Sequence, residues 1–143
     1  MTEIFDDHGV RFEYPSDWEI EVTDDGEITT VALQSPGRPA FALVTLDEAM
    51  PEPDEVAGEV LDTMREEYPG LDVFPVRERI AGHEAVGHDL DFISLDMTSA
   101  CLIRCFRTNQ RTILIFGQWS EFEDEPTRAA MGALQASFEE TDA

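Results

Sequence analysis

Three small groups of side chains in this chain could do chemistry. The first lies in GHEAVGHDLDF, where His83, His88, Asp89 and Asp91 are of metal-ligand type. A transition-metal site needs such donors to converge on one point. On an extended strand Asp89 and Asp91 share one face, while His88 joins Val86 and Leu90 on the other. One face then offers two carboxylates without the imidazole, so no metal and no other cofactor is expected.

The second group is Cys101 and Cys105, in SACLIRCF. Four residues apart on a strand, they would lie about 13 Å from each other at roughly 3.3 Å per residue. A disulfide needs Cα atoms within about 7 Å. Two free, buried and unreactive thiols are therefore expected, which suits a reducing compartment. Nucleophilic chemistry fares no better at serine. Ser94, Ser99 and Ser120 sit in no G-x-S-x-G elbow, and the chain has no glycine-rich phosphate loop. No catalytic residue is expected.

The third group is Arg104, Arg107 and Arg111, clustered around one hairpin of an otherwise acidic chain. Arg104 shares a strand face with Leu102 and Phe106 and should be partly buried. Buried charge is normally paired, so the plain expectation is an ion pair at the edge of the core. The alternative is a small-ligand or anion site, since guanidinium forks match carboxylates and phosphates.

The chain that carries these groups has 143 residues, 32 of them acidic and nine basic, for a net charge of −23. All nine basic residues are arginine. Such a charge repels nucleic acid and anionic membranes, so neither is an expected partner. The carboxylates are spread over the whole length. That pattern fits a strongly solvated surface better than a patch that steers a basic partner. No apolar run approaches the roughly 18 residues of a membrane span. The N-terminus, MTEIFDDHGV, has neither the basic nor the apolar region of a signal peptide, so a cytoplasmic protein is expected.

The elements that must position these groups follow from periodicity. Val10, Phe12 and Tyr14 alternate, and the strand they make should end at Pro15, which has no N–H to give a ladder. Ser16 and Asp17 would turn the corner, with Trp18 restarting the sheet through Ile20 and Val22 and sealing the end of the core. Asp24-Asp25-Gly26 marks a hairpin into Ile28–Leu33. A turn over Ser35–Pro39 leads to Phe41–Leu46. At Pro53-Asp54-Glu55 the period changes. Proline in the first turn and acids at the positive dipole end open a helix over about 53–68, which Pro69-Gly70 ends.

Four extended runs follow, Leu71–Ile80, Ala85–Met97, Ala100–Arg107 and Arg111–Trp119, with turns expected at Ala81-Gly82-His83, near Thr98-Ser99 and at Asn109-Gln110. In the third, Leu102 and Phe106 oppose Cys101, Ile103 and Cys105, and in the fourth Leu114 and Phe116 oppose Ile113, Ile115 and Trp119, so both faces are apolar and both must be covered. A second helix is available, with Pro126 in its first turn and Ala130, Met131, Leu134 and Phe138 on one side. The order strands, helix, strands, helix predicts one α+β domain over residues 1–143, an antiparallel β-sheet sandwiched by helices.

The stretch Gly9-Val10-Arg11-Phe12-Glu13-Tyr14-Pro15-Ser16-Asp17-Trp18 resembles the opening of the PsbP-like superfamily, a glycine and alternating apolar residues followed by Y-P-x-x-W. The likeness continues loosely along the chain, through a helix near 53–68, four strands and a closing helix. It implies an antiparallel sheet between helices and a non-catalytic binding or assembly-assisting role, with a protein partner. If that partner were an apolar transmembrane segment, the sheet should expose a long hydrophobic groove, larger than a monomer normally shows.

Overall fold

Three two-residue hairpins define how the chain doubles back. The structure, a computed structural model of the chain, describes residues 1–36 and 40–141. Strands β1 (Thr2–Asp7) and β2 (Val10–Pro15) join through His8-Gly9. Strands β6 (Asp72–Ile80) and β7 (His83–Ser94) join through Ala81-Gly82. Strands β7 and β8 (Met97–Arg107) join through Leu95-Asp96. Both loop residues have positive φ in each case, as the twist of a tight antiparallel hairpin demands. Glycine supplies the second position in the first two turns. In the third, Leu95 at φ 53° and Asp96 at φ 63° do so.

The remaining elements are β3 (Glu19–Asp24), β4 (Ile28–Gln34), β5 (Phe41–Asp47), α1 (Pro53–Glu67), β9 (Thr112–Ser120), α2 (Asp124–Ser137) and β10 (Glu139–Glu140). A single 3-10 turn, Glu121–Glu123, precedes α2. Seven strands form one antiparallel sheet in the order β3-β4-β5-β9-β8-β7-β6. Three more form a small sheet, β1-β2-β10. The domain is therefore α+β and mostly antiparallel, as the strand and helix order predicts.

Each face of the large sheet has its own core. One face carries Val31, Val44, Phe106, Ile113, Ile115 and Trp119, covered by α2 and the small sheet through Met131, Leu134, Phe12 and Phe138. The other carries Cys101, Ile103, Cys105 and Phe116, covered by α1 through Ala57, Leu61 and Met64. The alternation expected for β8 and β9 is the alternation observed.

Several expectations need correction. Trp18 does not restart the sheet that Pro15 ends. Its N–H donates to the Pro15 carbonyl, and the chain crosses from the small sheet to the large one, where β3 begins at Glu19. Trp18 still packs, half-buried, against the core. The turn expected near Thr98-Ser99 falls at Leu95-Asp96 instead and divides the run expected over Ala85–Met97; with no glycine, nothing local announced it. The N-terminal segment is strand β1, and two residues after Phe138 form β10. Neither has a periodic run long enough to read. The turn expected at Ser35–Pro39 lies partly outside the described residues. On its described flanks Ser35 N–H donates to the Ala40 carbonyl.

Candidate functional site

The four metal-type side chains do not converge. His83 lies on the α2 side of β7 and stacks its ring on Phe106, with centroids 6.0 Å apart. His88 lies on the α1 side. Asp89 and Asp91 face the α2 side, as alternation requires. Among the described residues no three His, Cys, Asp or Glu groups could hold a metal ion.

His88 is constrained nonetheless. Its Nδ1 is buried without a hydrogen-bond partner. Burial, with lesser contributions from the Arg65 and Arg104 charges, lowers its pKa from the usual 6.5. The folded chain thus keeps a neutral imidazole where the unfolded chain takes up a proton. The unfolded state binds more protons in that window, so this part of the stability falls as the pH drops through about 6.5 and levels off below the folded value. In His88→Gln that component disappears. Urea titrations of both proteins at about pH 7.5 and about pH 5 should show the wild type losing stability relative to the variant on acidification.

Cys101 and Cys105 are free and buried. Burial raises the Cys101 pKa strongly and pushes Cys105 up to about 12. Thiolate is the reactive form, so neither sulfur should react in the folded chain. A colourimetric thiol reagent should label neither cysteine under native conditions at about pH 8, and both promptly in denaturant. Fast labelling of one native cysteine would show local opening beneath α1.

The three arginines are spread over two faces and a turn. Arg104 is buried on the α2 side, its Nη2 2.9 Å from Asp89 Oδ1 and its Nε 3.3 Å from Glu78 Oε1. The Nε contact lacks hydrogen-bond alignment. Arg104 Nη1 donates to the Ile103 carbonyl at 3.0 Å. Gln135 of α2 donates to the same Glu78 carboxylate at 2.6 Å, so the ion pair also ties helix to sheet. Arg107 points to the α1 side and clamps the loop that enters the helix, 2.9 Å from Glu52 and donating to the Met50 carbonyl at 3.2 Å. Arg111, also buried, lies 2.8 Å from Glu140 Oε2, an oxygen that also accepts from Thr108 Oγ1 at 2.7 Å. That pair holds β10 against the β8–β9 turn. Each guanidinium thus has an acceptor from its own chain.

The candidate serines are structural in their contacts. Ser99 and Ser120 face each other across β8 and β9, and Ser120 Oγ donates to the buried Glu123 at 3.3 Å. Ser94 ends β7 beside the Leu95-Asp96 turn.

That turn stands at the end of the molecule with the most unusual surface. Leu95 is 89% exposed, Ile93 74% and Phe74 50%. Phe122, in the 3-10 turn that packs beside β8, is 78% exposed. Beside Ile93 opens a cleft of about 490 Å³. Its walls include Tyr68, Pro69 and Leu71 from the end of α1, and Asp72, Asp91 and Phe92 from β6 and β7. The Tyr68 and Phe92 rings stack 4.2 Å apart. Asp72 and Asp91 stand directly opposite each other in the β6–β7 register. Sequence reasoning singled out Asp91 as a metal-type ligand and missed the rest. The readable signal was the adjacent pair Phe92-Ile93, one apolar residue on each face of a strand at the sheet's margin.

Comparison with known proteins places this architecture. No protein-family model and no curated protein sequence matches the chain. Solved structures do. The chain is similar to cyanobacterial PsbP (CyanoP) from Synechocystis sp. PCC 6803, with a TM-score of 0.71 and 13% identity over 97% of this chain and 92% of that one. It is also similar to LpqN of Mycobacterium tuberculosis, a protein involved in cell envelope biogenesis, with a TM-score of 0.63 and 11% identity over 99% and 91% of the two chains. A Pseudomonas aeruginosa protein of unknown function matches at a TM-score of 0.50 and 15% identity, over 93% and 95%. The chain has a PsbP-like fold, the fold implied by its opening residues.

Proposed function

We propose that this chain is a non-catalytic, protein-binding module that works in the cytoplasm. The observation that carries the reading is the large apolar side chains left in water, Ile93, Leu95 and Phe122 towards the β7–β8 tip and Phe74 further along β6, in a chain dense in carboxylates. Several large apolar side chains exposed on one region of a folded protein favour a contact surface. The cytoplasmic part rests on two thiols that stay free and buried, as a reducing compartment allows. No helix among the described residues is long and apolar enough to cross a membrane.

An anion site at the Arg104–Arg111 hairpin has less support. Arg104, Arg107 and Arg111 each face a carboxylate of their own chain, and a ligand would have to displace it.

Tagged protein captured from its native lysate at low and at high salt tests the reading. One stoichiometric protein at both salts is the expected result. Nothing above background at either salt would overturn it.

A further inference from the structure

We infer that the β7–β8 tip and the cleft beside it form a docking site for a polypeptide segment in which lysine or arginine side chains alternate with apolar ones. This rests on the protein-binding reading and names the partner's chemistry.

Three observations carry it. First, Leu95 occupies the left-handed region in a two-residue turn, where asparagine or glycine would sit without strain. A bulky apolar residue held there is left 89% exposed, so little of its surface is buried within the fold. Residues kept in costly backbone conformations concentrate where binding needs them. Second, Ile93 and Phe74 lie on the same face as Thr98, Asp72 and Asp91, so the apolar tip and the two carboxylates that border the cleft share one face. Third, Asp72 and Asp91 oppose each other across β6 and β7, an arrangement of like charges that disfavours the sheet. Asp89, two residues along, is answered by Arg104 at 2.9 Å. Among the described residues no cation answers Asp72 or Asp91.

The sheet face at the cleft therefore presents two unanswered carboxylates beside the exposed Ile93, while the Tyr68 and Phe92 rings close the cleft from the α1 side. A lysine or arginine fits that combination, its aliphatic stem along Ile93 and its charged head between the carboxylates. Flanking apolar residues of the same segment would cover Ile93, Leu95 and Phe122. A second copy of this chain is a poor occupant, because each copy carries a net charge of −23 and no lysine. An anionic membrane is repelled by the same carboxylates.

The probe is a capped synthetic peptide alternating leucine with lysine and arginine, titrated into isotope-labelled full-length protein and followed by amide shifts. Its control replaces every basic residue with glutamine. The expected shifts are confined to residues 68–74, 91–98 and 121–122. Ile93→Ser with Leu95→Asn should weaken binding about tenfold or more, while Asn at the turn leaves the fold at least as stable as wild type. Asp72→Asn with Asp91→Asn should weaken it at low salt and flatten its salt dependence. Shifts scattered over the acidic surface and indifferent to the Ile93 and Leu95 changes would overturn the site. Equal affinity for the glutamine peptide would overturn the cationic partner. Absence of binding, tighter binding to phosphatidylglycerol vesicles, or self-association under the same conditions would overturn the proposal. The lysate capture separates the two readings. A partner retained by the Ile93→Ser, Leu95→Asn protein removes this surface and leaves the protein-binding module standing.

Discussion

Replacing Phe12 with alanine lowers the unfolding free energy by about 3–5 kcal/mol. Phe12 is fully buried. Its ring stacks on Phe5 at 5.0 Å and on Phe138 at 5.9 Å, and meets Tyr14 edge-on at 6.5 Å. Phe138 in turn meets Phe106 of the large sheet edge-on at 5.7 Å. Phe12 is thus the first link in an aromatic chain that fastens the small sheet to the end of α2 and to the main core. Removing the ring leaves a cavity between surfaces that cannot collapse together, because each is held by its own sheet. Urea unfolding of wild type, Phe12→Ala and Phe12→Leu measures the effect, with the leucine variant losing much less. A loss below about 1 kcal/mol for alanine would show that the small sheet is an accessory to the fold.

The second large effect is expected at Gly87. Added to this residue, a Cβ would lie 1.8 Å from the Ile103 carbonyl oxygen, 2.7 Å from its carbon and 3.1 Å from Arg104 Cα. All three are backbone atoms of the neighbouring strand, so no side-chain rotation can make room. The obstacle is the close approach of β7 and β8, at the position where Gly87 pairs with Arg104. Gly87→Ala must spread the two strands, and the displaced guanidinium then loses its geometry against Asp89 and Glu78. The expected cost is about 3 kcal/mol or more. Gly58 provides the control. It lies in α1 with open space around the added carbon, so Gly58→Ala should stabilise by about 0.5–1 kcal/mol. Thermal melts of the two variants should move in opposite directions, and a Gly87→Ala melt equal to wild type would overturn the account of the strand approach.

Gly87 also shows where sequence reasoning stops. A glycine inside a strand pattern signals a bulge or a close approach, yet the identity of the approaching strand depends on pairing. The alternation of Leu102 and Phe106 against Cys101, Ile103 and Cys105 was readable because it needs only the two-residue period of a strand. The same period placed Asp89 and Asp91 on one face and His88 on the other. It also put Arg104 on the inward face, where a carboxylate partner was expected and two were found. The partners themselves, Glu78 on β6 and Asp89 on β7, follow from register. The β7–β8 turn was misplaced because Leu95-Asp96 carries none of the usual residues for positive φ. That departure from local preference coincides with the surface assigned to binding, as expected where function overrides local rules.

Local order along this chain was determined by the sequence itself. Apart from β1 and β10, strand and helix identity, the hairpins at Asp24-Asp25-Gly26 and Ala81-Gly82, the start of α1 at Pro53 and the two-sided burial of β8 and β9 all follow from side-chain periodicity and turn chemistry, which act over a few residues. The tertiary structure alone decided that the ten strands among the described residues divide between two sheets, that Trp18 sits at the crossing between them, and that Arg107 closes on Glu52 while Arg111 closes on Glu140. It alone brought Asp72 opposite Asp91 beside Ile93. The physical reason is distance along the chain. Those contacts join residues brought together only by the pairing of whole strands, and that pairing is chosen by the total apolar surface buried on both faces of the sheet.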